Sequence, residues 1–217
     1  MDGNQRWAVK NNLNLKNGYL EGIKKLSEIS SYCINSNIKN LSVYTLSSEN
    51  NNRKSIGLIY DLLEKNYMSF LKRINKDNKV KIKFIGKKNN LDKKIKLIIN
   101  YIEAKTKDNT ILTLNLVFNY SVEYEVEHIL NKFIKLKKNQ SINLDSNFIN
   151  ENKYLGKNSD PQILIRTGGF KRLSNFLLLN LSYTEFFFID TLWPDFKIKN
   201  LENIIQKYKK IKRNHGL

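Results

Sequence analysis

The chain has few of the residues that organise disulfide-bonded, zinc-binding or membrane-spanning proteins. Of its 217 residues one is cysteine, Cys33, and two are proline, Pro161 and Pro194. A single cysteine excludes an intramolecular disulfide framework and a CxxC-type zinc site, and it is typical of a reducing compartment. No apolar run reaches the roughly 18 residues that a spanning helix needs, and the first residues lack the apolar segment of a signal peptide. These absences predict a soluble, cytoplasmic protein.

Hydrophobic residues make up 41% of the chain and aromatic residues 11%, which is enough apolar mass for one globular domain with its own core. Thirty-eight basic residues against twenty acidic residues give a formal net charge of +18. Such a field attracts nucleic acid, anionic lipid or phosphorylated substrates, and the charge alone does not choose among them. Most of the abundant lysines are interpreted as solvated surface.

Scarce residues are more informative than abundant ones. Lysine is the default cation of this chain, so each arginine suggests a site that needs a planar fork able to hold a diphosphate with two parallel bonds. The arginines are Arg6, Arg53, Arg73, Arg166, Arg172 and Arg213, and the tryptophans are Trp7 and Trp193. They concentrate in a few short segments, and these segments are where chemistry is expected.

Apolar runs and apolar periodicities alternate along the chain. Runs rich in β-branched and aromatic residues predict buried strands at Leu41–Ser47, Val80–Gly86, Ile111–Asn119, Gln162–Thr167 and Glu185–Asp190. Apolar residues three or four apart predict helices at Gly18–Asn35, Ile56–Ile74, Leu91–Lys105, Val122–Leu136, Arg172–Tyr183 and Leu201–Ile211. The alternation predicts an α/β fold, a single domain over residues 1–217 with a mostly parallel central sheet and helices on both faces. In such folds, ligands bind beyond the carboxyl ends of the strands.

The segment Ile165–Phe176 satisfies that rule best. A predicted strand ends in Arg166, two glycines follow, and Arg172 and Ser174 are predicted to open a helix. Forked cations, a hydroxyl and free amides around one anion favour a diphosphate ligand. The alternative is a plain glycine turn with surface cations. The segment Asp2–Ala8 offers a further carboxylate, glycine and arginine, although taken alone it could be a frayed terminus.

Four separated segments together resemble the cis-prenyltransferase family, and most closely its bacterial undecaprenyl diphosphate synthases. They are Asp2–Ala8, Val43–Asn50, Ile165–Phe176 and Leu192–Phe196, and their order and separations match over essentially the whole chain. The resemblance implies an enzyme that condenses isopentenyl diphosphate with an allylic diphosphate, such as farnesyl diphosphate, using Mg²⁺. It also implies a long-chain Z-polyprenyl diphosphate product, an apolar tunnel, a homodimer, and transient association with the surface of the inner membrane.

The resemblance assigns roles to individual residues. Asp2 and Asn50 are the expected catalytic residues, Asp2 at the departing diphosphate and Asn50 as proton acceptor. Asp2 and Glu185 are the expected ligands of Mg²⁺. The residues expected around the allylic substrate are Gly3, Asn4, Gln5, Arg6, Trp7, Ser47, Ser48, Glu49 and Arg53. Those expected around isopentenyl diphosphate are Arg166, Arg172, Leu173 and Ser174.

Several positions depart from the family's pattern. The changed residues are Gln5 (glycine in the family), Leu15 (arginine), Tyr19 (histidine), Asn51 (tryptophan), Glu123 (arginine), Gln162 (acidic) and Phe170 (glutamate). The family also has an apolar strand before the loop of Asp2, so the printed sequence is expected to lack one member of that sheet. Two other functions stay open: a non-catalytic partner subunit of the same fold, and a basic RNA-binding protein. The segments that carry Asp2 and Arg166 argue against the first, and aromatic residues placed in strand-like patterns argue against the second.

Overall fold

The computed structural model describes residues 1–48, 56–75, 77–157 and 159–212. In chain order these residues form α1 (Asn4–Lys10), α2 (Leu15–Asn35), β1 (Asn40–Ser47), α3 (Ile56–Ile74), β2 (Val80–Ile85), α4 (Lys93–Thr106), β3 (Leu112–Tyr120), α5 (Val122–Lys137), α6 (Ser146–Asn152), β4 (Ile163–Arg166), β5 (Glu185–Phe188) and α7 (Ile198–Lys210). Short 3₁₀ turns lie at Leu178–Asn180 and Trp193–Asp195. Within these ranges no helix is long and apolar enough to cross a bilayer.

All five predicted strands are present, and every pairing between them is parallel. The α/β class with parallel strands is therefore confirmed. The strands are distributed over a three-stranded sheet of order β1-β3-β2 and a two-stranded sheet of β4 and β5. The chain correspondingly divides into two compact units. The first contains Met1–Tyr32, Pro161–Arg172 and Tyr183–Leu217, and the second contains Cys33–Asp160 and Leu173–Ser182.

The second unit is built around β3, the central strand of its sheet. Most of the β3 side chains are buried, with Leu112, Leu114 and Val117 fully so, as expected for a parallel strand covered on both faces. Helix α4 begins after Asp92, whose carboxylate accepts a hydrogen bond from the Lys94 amide. Three isoleucines of the apolar stripe of α4 belong to the core, since each is at most 1% exposed: Ile95, Ile99 and Ile102.

The first unit contains α1, a helix that the sequence pattern did not predict. Helix α1 packs closely on α2 because two glycines one turn apart leave room for it. A Cβ atom at Gly18 would lie 2.3 Å from the Asn4 carbonyl oxygen, and one at Gly22 would lie 2.3 Å from Asn4 Oδ1. The Trp193 indole N–H donates to the Gly22 carbonyl at 2.9 Å and fixes the segment after β5 to the same helix.

The predicted helix over Arg172–Tyr183 is wrong. The segment Leu173–Ser182 contains a single 3₁₀ turn at Leu178–Asn180. Ser174, Asn175 and Leu177 all have positive φ angles, of 49°, 64° and 49°. A right-handed helix cannot contain such residues, so no helix opens at Arg172 or Ser174.

Candidate active site

The turn after β4 forms the floor of the candidate site in the first unit. Gly168 and Gly169 have φ angles of 89° and 83°, and their amides donate to the carbonyls of Thr191 and Ile189, both at 2.9 Å. A Cβ atom at Gly168 would lie 2.4 Å from Arg6 Nη2. The positive φ angle favours glycine at this position, and a Cβ atom there would displace the Arg6 guanidinium.

Thr167 attaches the N-terminal segment to this turn. Its buried hydroxyl accepts a hydrogen bond from the Asp2 amide and donates one to the Asp2 carbonyl, each at 2.9 Å. The Asp2 carbonyl also accepts from the Trp193 amide at 2.9 Å. The backbone of Asp2 is thereby tied to two segments that lie more than 160 residues further along the chain.

The Asp2 carboxylate lies between two guanidinium groups. Its Oδ1 atom is 3.2 Å from Arg6 Nη2, and its Oδ2 atom is 3.1 Å from Arg166 Nη2. Arg6 Nη1 also donates to the Gly168 carbonyl at 2.8 Å. The side chain of Arg166 is 15% exposed, whereas those of Asp2 and Arg6 are 34% and 45% exposed. The carboxylate is thus held by cations and still open to a ligand from solvent.

Phe170 follows the glycine turn and lies among three arginines. The guanidinium carbons of Arg172, Arg6 and Arg166 are 4.1, 4.7 and 5.7 Å from the centre of its ring. Arg166 Nη1 also donates to the Arg172 carbonyl. The first unit therefore brings together Asp2, Arg6, Arg166 and Arg172, all of which were predicted site residues. Thr167 and Phe170 were not assigned roles from the sequence.

Other predicted residues of the N-terminal segment are positioned by contacts in the first unit. The Trp7 indole N–H donates to Asp195 Oδ1 at 2.8 Å, and the Gln5 amide donates to the Tyr19 hydroxyl at 2.8 Å. Gln5 and Tyr19 are two of the positions that depart from the family pattern, and they contact each other. Asn4 Oδ1 is buried with no hydrogen-bond partner among the described residues.

Four predicted substrate-binding residues lie in the second unit. Ser47 ends β1 and is buried, and Ser48 follows it. Leu173 and Ser174 belong to the same unit, and two residues later the Phe176 ring stacks on Tyr44 of β1 with their centres 4.9 Å apart. The predicted residues Glu49, Asn50 and Arg53 lie outside the described residues.

Glu185, the other predicted ligand of Mg²⁺, lies at the opposite end of the β4–β5 pairing from Arg166. Glu185 is the first residue of β5 and pairs with Ile163, whereas Arg166, at the other end of β4, pairs with Phe188. Three strand residues separate these two pairs by about 10 Å. Among the described residues no group of three His, Cys, Asp or Glu side chains could hold a metal ion.

The Asp2 carboxylate and the arginines beside it fit one common way in which proteins bind Mg²⁺. Magnesium is a hard cation that is commonly held by one or two carboxylates together with substrate phosphates. Asp2 supplies one partly exposed carboxylate beside two arginines that could hold those phosphates. Asp2, and not a preformed cluster of carboxylates, is therefore the candidate ligand that the described residues offer.

Comparisons with known proteins agree over the whole chain. A family model described as putative undecaprenyl diphosphate synthase matches residues 1–216. An isoprenyl transferase of Oceanobacillus iheyensis is 36% identical over 220 residues, covering 100% of this chain and 87% of that protein. An isoprenyl transferase of Fusobacterium nucleatum is also 36% identical over 220 residues, covering 100% of this chain and 93% of that protein.

Solved structures show the same similarity. A probable undecaprenyl diphosphate synthase from Campylobacter jejuni superposes with a TM-score of 0.81 at 30% identity, covering 91% of this chain and 92% of that one. Lavandulyl diphosphate synthase from Lavandula x intermedia, solved with dimethylallyl diphosphate, gives a TM-score of 0.90 at 25% identity, covering 100% of this chain and 95% of that one. The chain belongs to the undecaprenyl diphosphate synthase family of isoprenyl transferases.

Proposed function

We propose that this isoprenyl transferase condenses isopentenyl diphosphate with an allylic diphosphate, such as farnesyl diphosphate, to give a long-chain Z-polyprenyl diphosphate. The observation that carries the proposal is the Asp2 carboxylate held between Arg6 and Arg166 beside the Gly168–Gly169 turn. The relative from Lavandula was solved with an allylic diphosphate, which supports that substrate class. The Asp2 carboxylate contacts one arginine from each predicted set of substrate-binding residues. Arg6 belongs to the set around the allylic substrate, and Arg166 belongs to the set around isopentenyl diphosphate.

The chemistry requires stabilisation of a departing diphosphate. The bond between the allylic carbon and its diphosphate oxygen breaks, a carbon–carbon bond to isopentenyl diphosphate forms, and a proton is lost from the new unit. Negative charge grows on the departing group, so a guanidinium beside it, such as that of Arg6, stabilises the transition state more than the ground state. Bound Mg²⁺, with Asp2 as its ligand, would add charge to the same effect. Asn50 stays the predicted proton acceptor.

An apolar surface must accept the growing hydrocarbon. Helix α3 keeps apolar side chains that are only half-buried, among them Ile59, Leu63 and Tyr67, and its Met68 is exposed. Three of the four isoleucines of α4, Ile95, Ile99 and Ile102, are instead fully packed in the core. We therefore assign the wall of the proposed tunnel to α3. The proposal also includes a homodimer and transient contact with a membrane surface, where a lipid product would be released.

The first prediction is that Asp2→Asn abolishes elongation while the protein stays folded. The amide keeps the shape of the side chain but removes the charge between two arginines, and we expect turnover to fall by at least about 100-fold. Turnover is measured with radiolabelled isopentenyl diphosphate, farnesyl diphosphate and Mg²⁺, followed by chromatography of the lipids. The matched control is Asp108→Asn, an exposed position outside the site, which should leave turnover unchanged.

The same assay separates the competing functions. Retained elongation in Asp2→Asn would contradict the role of the carboxylate. Calorimetric binding of isopentenyl diphosphate by the wild-type protein without any elongation would support a non-catalytic partner subunit. A steeply salt-dependent affinity for RNA without diphosphate binding would support the RNA-binding alternative.

A further inference from the structure

Phe170 occupies an unusual place for a phenylalanine. Its ring is 39% exposed, and three of the chain's six arginines approach it. An exposed ring of this size would ordinarily be surrounded by solvent or by other apolar groups. Here the nearest charged groups are guanidiniums, the closest being that of Arg172 at 4.1 Å from the ring centre.

The three arginines differ in what balances their charge. Arg6 and Arg166 share the carboxylate of Asp2. The Arg172 guanidinium forms no ion pair and no side-chain hydrogen bond with any residue that the structure describes. Its contact is with the face of Phe170. The three arginines therefore carry three positive charges against the single carboxylate of Asp2. Arg172 is the arginine that Asp2 does not contact, and its guanidinium packs on the ring of Phe170 instead.

Three like charges at this spacing repel one another, and an exposed arginine has many rotamers to explore. An aromatic face attracts a guanidinium electrostatically, even at exposed sites. Ordering an arginine side chain costs rotamer entropy. A ring that restrains the guanidinium before a ligand binds lowers the entropy cost of binding.

We propose that Phe170 is a positioning residue: its ring holds the Arg172 guanidinium in place near that of Arg166, so that the diphosphate of isopentenyl diphosphate meets two pre-arranged guanidiniums. This inference rests on the proposed function, because it takes the ligand of these arginines to be a diphosphate. Phe170 acts through the arginines and not by touching the reacting atoms. It supplies no charge of its own and leaves the guanidinium hydrogens free to point at a ligand.

The test compares Phe170→Leu with Phe170→Tyr. Leucine keeps an apolar side chain but removes the aromatic face, whereas tyrosine keeps the face. The control is Phe186→Leu, because Phe186 is also in the first unit, is 42% exposed, and has no cation over its ring among the described contacts. The affinity of each purified protein for inorganic diphosphate is measured by calorimetry in the absence of metal.

We expect Phe170→Leu to bind inorganic diphosphate about fivefold more weakly than wild type, as loss of about 1 kcal/mol would give. Phe170→Tyr and Phe186→Leu should stay within about twofold of wild type. The arginine Nε–Hε resonances provide a second measurement. NMR relaxation of the Arg172 Nε–Hε group should show more fast motion in Phe170→Leu than in wild type, and no increase in Phe170→Tyr. A general loss of structure would not be confined to this arginine.

Two failures are distinguishable. If wild type binds diphosphate and Phe170→Leu binds it as tightly or more tightly, the positioning role is wrong and the proposed function stands. If wild type does not bind diphosphate at all, the proposed function fails and this inference fails with it. An equal loss of affinity in Phe170→Leu and Phe170→Tyr would also overturn the inference, because the aromatic face would then be irrelevant.

Discussion

At the scale of single residues, the site depends on a hydroxyl that carries no charge. Thr167 lies directly after Arg166, and its Oγ1 atom bonds both the amide and the carbonyl of Asp2. The two residues are 165 positions apart, so the orientation of the carboxylate is fixed by a side chain from a distant segment. Sequence reasoning could identify the charged residues, because their side-chain chemistry suits a diphosphate. It could not identify this threonine, because a buried hydroxyl has no distinctive sequence pattern.

We predict that Thr167→Val lowers kcat by about tenfold and that Thr167→Ser restores it. Valine has the same shape but leaves two partly buried backbone groups of Asp2 without this partner, at a cost of about 1 kcal/mol. Steady-state kcat and KM are measured for both variants. The control is Thr184→Val, because the Thr184 hydroxyl also donates to a backbone carbonyl in the first unit, that of Pro161, and does not touch Asp2.

A double variant sharpens this test. If Thr167 acts by positioning Asp2, then adding Thr167→Val to Asp2→Asn should lower kcat little further. Fully additive losses would show that Thr167 acts independently of the carboxylate. A loss confined to thermal stability, with kcat unchanged, would also contradict the positioning role.

At the scale of elements, the strands were predictable and two helical segments were not. The positions of all five strands were confirmed to within a few residues, because parallel strands read as apolar runs. The prediction that all five are buried is wrong for β5, in which Phe186 is exposed. The segment Arg172–Tyr183 has the apolar spacing of a helix, yet backbone angles at Ser174 and Leu177 exclude one. Helix α1 was missed because the face it buries is made of Asn4 and Ala8 against glycines, not of large apolar residues.

A buried carboxylate ties three elements of the second unit together. Glu125, in α5, is fully buried; its Oε2 atom accepts a hydrogen bond from the Tyr120 hydroxyl at the end of β3 at 2.5 Å. Its Oε1 atom accepts from the Tyr154 amide, which follows α6, at 2.8 Å. Burial, together with the neighbouring Glu125, raises the pKa of Tyr154 to about 12 and raises that of Tyr120 further.

We predict that Glu125→Gln destabilises the protein by about 1–3 kcal/mol, because an amide cannot accept from both donors as a carboxylate does. The free energy of unfolding is measured by urea denaturation. Glu127→Gln is the matched control on the same helix, since Glu127 forms an ion pair with Lys87 at the surface, and its loss should cost less than about 1 kcal/mol. Equal effects of the two substitutions would show that the buried network contributes nothing beyond a surface pair.

At the scale of the whole molecule, one thiol reports on the integrity of the fold. Cys33 is the only cysteine of the chain and is 2% exposed near the end of α2. Burial raises the pKa of its thiol to about 11. The thiolate is the reactive form, so its fraction near pH 8 is far smaller than for an exposed cysteine and increases only as the pH approaches 11.

We therefore expect Cys33 to resist alkylation by iodoacetamide at pH 8 in the native protein. In 6 M guanidinium chloride, roughly the upper limit for unfolding stable domains, the same reagent should label it completely. Labelling is followed by the mass of the intact chain. Stoichiometric labelling of the native protein within minutes would contradict the buried environment of this thiol.

The attachment of Asp2 to Thr167 and Trp193 has a consequence for biosynthesis. A ribosome adds Thr167 at 165 residues after Asp2, and it adds Trp193 later still. Earlier portions can begin to fold during translation, but the hydrogen bonds to the Asp2 backbone are complete only when residue 193 is available. A chain truncated between Asp2 and Thr167 would lack both of these partners, and its Asp2 carboxylate would not be oriented toward Arg166.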